Sequence, residues 1–290
     1  MTAIANLGSL INIATGGGSA NPVQVPFKKS GLLGGGAAVT ATAAGRMMSL
    51  WGYDGQPSGS GTTATPPSTA VVTTNATAGS LQQATPAGGV DLFLAGVAAT
   101  AHVAGTLIVY DRLVQHGGLS PTTTGAQSTN LPTPALTRYT SGKGVELWIE
   151  SYLEVGTTAT TIKASYTNTV PSAGQVNPLA TFGGAGWDAS QQIVPLALAV
   201  GDLGVTVVAS VSLTGSTVSP STGNFGVTLA YPLAVIPIPV AGVGAIWSGL
   251  LTAGGPLDLG TAINSCIAFA WVGNTTTAPF IRGSAYFLYN

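Results

Sequence analysis

The chain has 290 residues, enough to bury a sizeable core as one large or two smaller domains, yet only 6% of them are charged, against roughly 25% in ordinary soluble domains. Eight basic residues scattered along the sequence cannot neutralise many phosphates, which argues against a nucleic-acid partner, and the single cysteine, Cys266, cannot form an internal disulfide. A net charge of −1 gives little electrostatic protection against association, so packing against copies of itself is the expected state.

Residues 1 to about 45 are thick with glycine, including Gly16 to Gly18 and Gly34 to Gly36, and carry only Lys28 and Lys29 as charges. Ordering glycine costs more backbone entropy than ordering any other residue, so a lone subunit gains little by fixing this segment. It is read as an extended arm, 1–45, whose Ile4, Leu7, Leu10, Ile11, Val23, Val25 and Phe27 are expected to bury themselves against a neighbouring subunit. Met1 to Leu10 has no basic residue, and Asn6 and Asn12 interrupt its apolar character. A secretory signal is therefore not expected, and synthesis in a cytoplasm is.

The remainder, 46–290, is read as the body. Met47, Leu50, Trp51 and Tyr53 make a short strand-like piece, with a weak helical alternative over Ala37 to Leu50. Gly55 to Thr69 and Ser120 to Pro134 have loop composition, and Pro171 to Asp188 is a Gly, Pro and Asn rich candidate sub-boundary. Strands are expected at Val90 to Leu94, Thr106 to Gln115, Ile193 to Val200, Val205 to Leu213, Gly226 to Tyr231, Ala234 to Val240, Ser265 to Val272 and Ile281 to Leu288. Many short strands between Gly and Pro turns predict an all-β fold, a β-sandwich with a jelly-roll-like arrangement.

The clearest pattern is Val145 to Val155. Val145, Leu147, Ile149, Leu153 and Val155 alternate with Glu146, Trp148, Glu150, Tyr152 and Glu154, which predicts a half-buried strand. A turn at Gly156 to Ala159 would return the chain as Thr160 to Thr167, antiparallel to it, with Lys163 between Glu150 and Glu154. The even-numbered side is expected to face solvent or a partner, with Trp148 and Tyr152 as interface aromatics.

Val227 to Leu251 is apolar and long enough to span a bilayer, but Pro232, Pro237, Pro239, Gly242, Gly244 and Gly249 would break a helix repeatedly. AVIPIPV (Ala234 to Val240) reads instead as an edge strand or polyproline segment, and no membrane partner is expected. His102 and His116 are lone histidines, read as structural residues, and no spacing resembles a metal site. Neither a nucleophile elbow nor a complete phosphate-binding glycine loop occurs. The row Glu146, Glu150, Glu154 could be catalytic or calcium-binding, but a sheet face neutralised in part by Lys163 accounts for it better. A carbohydrate-processing site would need Glu150 and Glu154 as its pair, and two positions on one face of a flat strand make a poor cleft. The reading is of a protein with no enzymatic activity, no cofactor and no small-molecule substrate.

GTLIVYDRLVQHGGLS (Gly105 to Ser120), LTRYTSGKGVELWIESYLEVGTTATTIKASYTN (Leu136 to Asn168), GNFGVTLAYPLAVIPIPVAGVG (Gly223 to Gly244) and NTTTAP (Asn274 to Pro279) resemble a family of virion structural proteins of tailed bacteriophages. The resemblance implies a particle component, located in the virion, whose partners are copies of itself and other virion proteins. A capsid shell component, either decoration (cement) or coat, fits a Gly-rich arm. A tail, fibre or host-adhesion module is the alternative, although no internal repeat of the kind usual in fibres is evident.

Overall fold

The computed structural model describes residues 23–33, 44–57, 68–83, 92–131, 135–153, 155–170, 174–184, 187, 191–218, 223–249 and 264–289. In chain order the strands are β1 (Val23–Leu33), β2 (Met47–Ser49), β3 (Tyr53–Gln56), β4 (Val71–Val72), β5 (Leu92–Ala101), β6 (Gly105–Leu119), β7 (Gln127–Leu131), β8 (Glu146–Ser151) and β9 (Thr160–Asn168). They continue as β10 (Gln175–Val176), β11 (Ala180–Phe182), β12 (Ile193–Pro195), β13 (Val205–Leu213), β14 (Phe225–Ile238), β15 (Ala245–Ser248), β16 (Ile267–Gly273) and β17 (Ile281–Tyr289). The expected all-β architecture is what the chain adopts.

The centre of the fold is the antiparallel pair β6 and β14, which runs from Gly105 opposite Ile238 to Leu119 opposite Phe225. Their sheet has the order β12-β8-β14-β6-β16-β2, with β4 continuing the β6 edge beyond β16. Its two edges curl toward each other and meet where Met48 bridges Gln192 and the Ser49 amide donates to the Gln191 carbonyl. The sheet is therefore a nearly closed barrel. Closure gives its strands an inside and an outside, and along most of β8 and the Phe225 to Ala230 half of β14 both are buried.

Small residues make the inside possible. Ala268 stands opposite Tyr110, Ala230 opposite Arg112 and Gly226 opposite Glu150, so each bulky side chain has space across the strand pair. Met47, Trp51, Tyr110, Trp148, Ile193, Cys266 and Ala270 complete this interior cluster. A Cβ on Gly226 would lie 2.0 Å from the His116 carbonyl oxygen, so that position is restricted to glycine by space.

Two further sheets cover the outside. The sheet β15-β5-β17-β1-β3 packs on the Gly105 end of the β6–β14 pair, where Phe27, Val97, Leu107, Val109, Ile236, Phe269, Trp271 and Phe287 form one core. The sheet β10-β9-β13-β7, with β11 also pairing β9, packs on the other end through Ile162, Tyr166, Val208, Val211, Leu147, Ile149, Val227 and Leu229. Bulges in the β6–β14 register around Leu229/Ala230 and Pro232/Ala234 bend the long pair between these two cores.

Several expectations change. Residues 145–155 and 160–167 do not form a hairpin: β8 pairs with β14 and β12, while β9 pairs with β13, β10 and β11. Within the expected arm, Val23–Leu33 is a strand of the body, paired with β17 on one side and β3 on the other. The expected strands 226–231 and 234–240 are one bulged strand, β14, and β12 stops at Pro195 where a strand to Val200 was expected. β7 lies in a stretch of loop composition, as do β10 and β11. Beyond Ala230 β14 no longer pairs with β8, so Pro232 and Pro237 lie where β14 has a ladder partner only in β6, in keeping with the edge reading of AVIPIPV.

Candidate functional site

Five of the 17 charged residues of this chain are buried, and four of them form two ion pairs. Asp111 and Arg112, consecutive on β6, point to opposite sides of the barrel wall, and each meets a partner of opposite charge. Arg112 projects inward, where its Nη2 donates to Glu150 Oε2 at 2.5 Å and to the Tyr152 hydroxyl at 3.2 Å. Its Nε donates to Gln115 Oε1 at 2.7 Å, its Nη1 reaches the Tyr110 hydroxyl at 3.3 Å, and the guanidinium lies 4.6 Å from the Trp51 ring centre. Thr228 donates its hydroxyl to the same Glu150 oxygen at 2.9 Å. Burial works against the Arg112 charge, but the Glu150 carboxylate and nearby phenol oxygens outweigh it and hold the guanidinium protonated. Burial also pushes the Tyr110 hydroxyl up to about 12, so it is a neutral donor and acceptor.

Asp111 makes a two-pronged bond with Arg138, at 2.9 and 2.8 Å, and accepts the Cys266 amide at 2.9 Å. Burial raises its carboxyl above the usual range, against the downward pull of Arg138. Both ion pairs are almost fully shielded from water. Closed off in this way, they tie strands together: Arg112–Glu150 joins β6 to β8 across β14, and Asp111–Arg138 pins the segment before β8 to β6. Cys266 beside them has its thiol pushed up to about 12 by burial, which makes it a poor nucleophile.

The residues expected at an interface divide into groups. Trp148 and Tyr152 are buried within their own subunit, contrary to the expected exposed face. The alternation itself is real, with Val145, Leu147 and Ile149 in the outer core, but the other face of β8 is the barrel interior. Trp148 lies 4.6 Å from the Tyr110 ring and donates its indole N–H to Glu146 at 2.6 Å. Phe27 is buried in the first core, with Val23 and Val25 packed against it, so these three are held by their own subunit. Ile4, Leu7, Leu10 and Ile11 lie outside the described residues, as does Glu154. Lys163 is exposed and faces Ser212 of β13, in a different sheet from Glu150. His116 bonds the Ser68 carbonyl through Nε2, and His102 accepts the Phe280 amide on Nδ1, both local ties between loops and strands.

Lys29 is another buried charge. Its ammonium donates to the Tyr53 and Pro57 carbonyls at 3.2 and 2.9 Å, and burial lowers its pKa to about 7 despite the upward pull of Asp54. Among the described residues, no three His, Cys, Asp or Glu side chains converge on one point. Of 17 charged residues, Lys29, Asp111, Arg112, Arg138 and Glu150 are buried, leaving at most twelve on the surface. That surface instead shows Val170, Leu179, Val200, Leu203, Val218, Val235 and Ile246.

No family model, curated protein or solved structure matches this chain. The functional reading therefore rests on the residues alone. Sequence reasoning missed the barrel interior, although one signal was present: YDR in the middle of the apolar run TLIVYDRLVQ, and Glu150 in WIES, place charges where a strand is buried on both sides.

Proposed function

We propose that this chain is a structural subunit of a bacteriophage virion, acting in the capsid shell as a decoration, cement or coat protein. The observation that carries this is the disposition of charge: five of the 17 charged residues are spent inside as strand ties, and the outside combines few charges with exposed Val, Leu and Ile. A free monomer with that surface is poorly defended against association, whereas a subunit packed among copies of itself and other shell proteins has no such need. The buried ion pairs are tethers that fit a rigid building block working through its surfaces. Ile4, Leu7, Leu10 and Ile11 supply the grip on a neighbour in this reading. A tail or adhesion role has one observation of its own, the exposed turn at Asn274 to Thr277, which presents threonine hydroxyls to solvent.

Immunogold labelling of purified particles of the phage that encodes the chain tests the proposal. Label over the head supports the shell reading, label on the tail favours the alternative, and particles without the protein refute both. A truncation that stops before Val23, and so spares β1, is expected to leave a folded body that no longer joins particles. Full incorporation of that truncation would refute the arm's role.

A further inference from the structure

We infer that the exposed side of the sheet β15-β5-β17-β1-β3 docks onto an acidic groove of a second copy of the chain, a contact that rests on the self-assembling reading above. Lys28 on β1 and Arg282 on β17 are directly opposite each other, and both are exposed. Like charges facing across a strand pair destabilise it, and this chain has only 8 basic residues to place. Both cations lie over one ring, Phe280, at 5.3 and 5.1 Å from its centre, and among the described residues neither has a carboxylate partner. Beside them on the same face lie Ser284 and Tyr286 of β17, Ala98 of β5 and Ile246 of β15, the last 81% exposed. The result is a shallow apolar groove with two cations at its end and nothing in the described chain to neutralise them.

The complement is on the same molecule. A groove of about 490 Å³ between the start of β8 and the loop leading into β13 has Glu146 and Asp202 as its only charged lining residues. Both carboxylates are fixed in place: Glu146 accepts from the Trp148 indole, and Asp202 accepts from the Tyr166 hydroxyl and the Asn168 amide. Leu203 in its wall is 64% exposed, and Val200 near it is fully exposed. Lys143 stands next to the groove through its bridge to Gly204, outside the lining. Two cations beside Ile246 and Tyr286 on one surface thus match two held carboxylates beside Val200 and Leu203 on another. Because the patches differ, the contact is head-to-tail and propagates from copy to copy.

Sedimentation velocity on the full chain tests this with two variants at exposed positions: Lys28→Ser with Arg282→Ser, and Val200→Arg with Leu203→Arg. Wild type is expected to associate, about tenfold more weakly when salt rises from about 0.05 to 0.5 M. Each variant alone is expected to stay monomeric. Mixed, they should form a one-to-one pair and nothing larger, since each retains the patch that the other lacks. A monomeric wild type at about 100 µM, association indifferent to salt, a variant that assembles like wild type, or a mixture that stays monomeric would each overturn the contact. The particle labelling is independent: it can fail with this contact intact, and the contact can fail with the protein still in the particle.

Discussion

Replacing Arg112 with methionine removes the one cation inside the barrel while keeping most of the side-chain volume. Glu150 then stays fully buried with the Thr228 hydroxyl as its remaining donor, and Tyr110, Tyr152 and Gln115 each lose a partner. Breaking a buried pair in this way costs about 3–5 kcal/mol, because one charge is left uncompensated. Domains are typically stable by about 5–15 kcal/mol, so Arg112→Met should lower the urea midpoint by about a fifth or more. The double variant Arg112→Met with Glu150→Met takes away both charges, and it should recover at least half of that loss, since apolar replacements of buried pairs are often near neutral. Equilibrium urea unfolding of wild type, both single variants and the double variant measures the coupling. A single variant within about 1 kcal/mol of wild type, or a double variant worse than both singles, would refute the reading of this pair as the barrel's internal tie.

Lys29 predicts a pH dependence. Its folded pKa of about 7 lies below its ordinary 10.5, so between those values the unfolded chain binds more protons and stability rises with pH. The wild type should gain on the order of 3–5 kcal/mol over Lys29→Met between pH 7 and 10, and a flat difference in urea midpoints would sink this. Trp148→Ala should cost about 3–5 kcal/mol in thermal unfolding, whereas a Trp148 that served as a surface contact would leave the melting temperature nearly unchanged. Gly226→Ala places a methyl 2.0 Å from the His116 carbonyl and should destabilise by several kcal/mol, read by the same unfolding assay; a neutral result would mean the β6–β14 pair yields more easily than its packing suggests.

The alternation from Val145 to Val155 correctly separated Leu147 and Ile149 from Trp148 and Glu150, because successive side chains of a strand point to opposite faces, although both faces here are buried. What the alternation could not reveal was the environment on the second side. Arg112 is 38 positions from Glu150 in sequence and Thr228 is 78, and no local pattern records that such distant residues neutralise each other. The expected hairpin failed for a related reason: a turn at Gly156 is locally sound, but Gly226 and Ala230 on β14 offer β8 the space its large side chains need. Val23 to Phe27 looked like part of an arm because glycine surrounds it, while its alternation of exposed and buried residues marks it as a strand. The absence of a compact catalytic motif left the surface as the place to look, and matching Lys28 and Arg282 to Glu146 and Asp202 required the three-dimensional arrangement.

The pairing of β1 with β17 sets a timetable for the nascent chain. The first described strand completes its ladder only with the last, and roughly 250 residues lie between them, so at ordinary elongation rates the wait is on the order of 10–50 s. During that interval β1 has only β3 as a neighbour, with the β17 side of its backbone unsatisfied. Putting Lys28 and Lys29 on that waiting strand repels other copies of it at the moment when many ribosomes are making the same protein at once. Once β17 arrives, one lysine turns inward and is buried while the other remains outside beside Arg282.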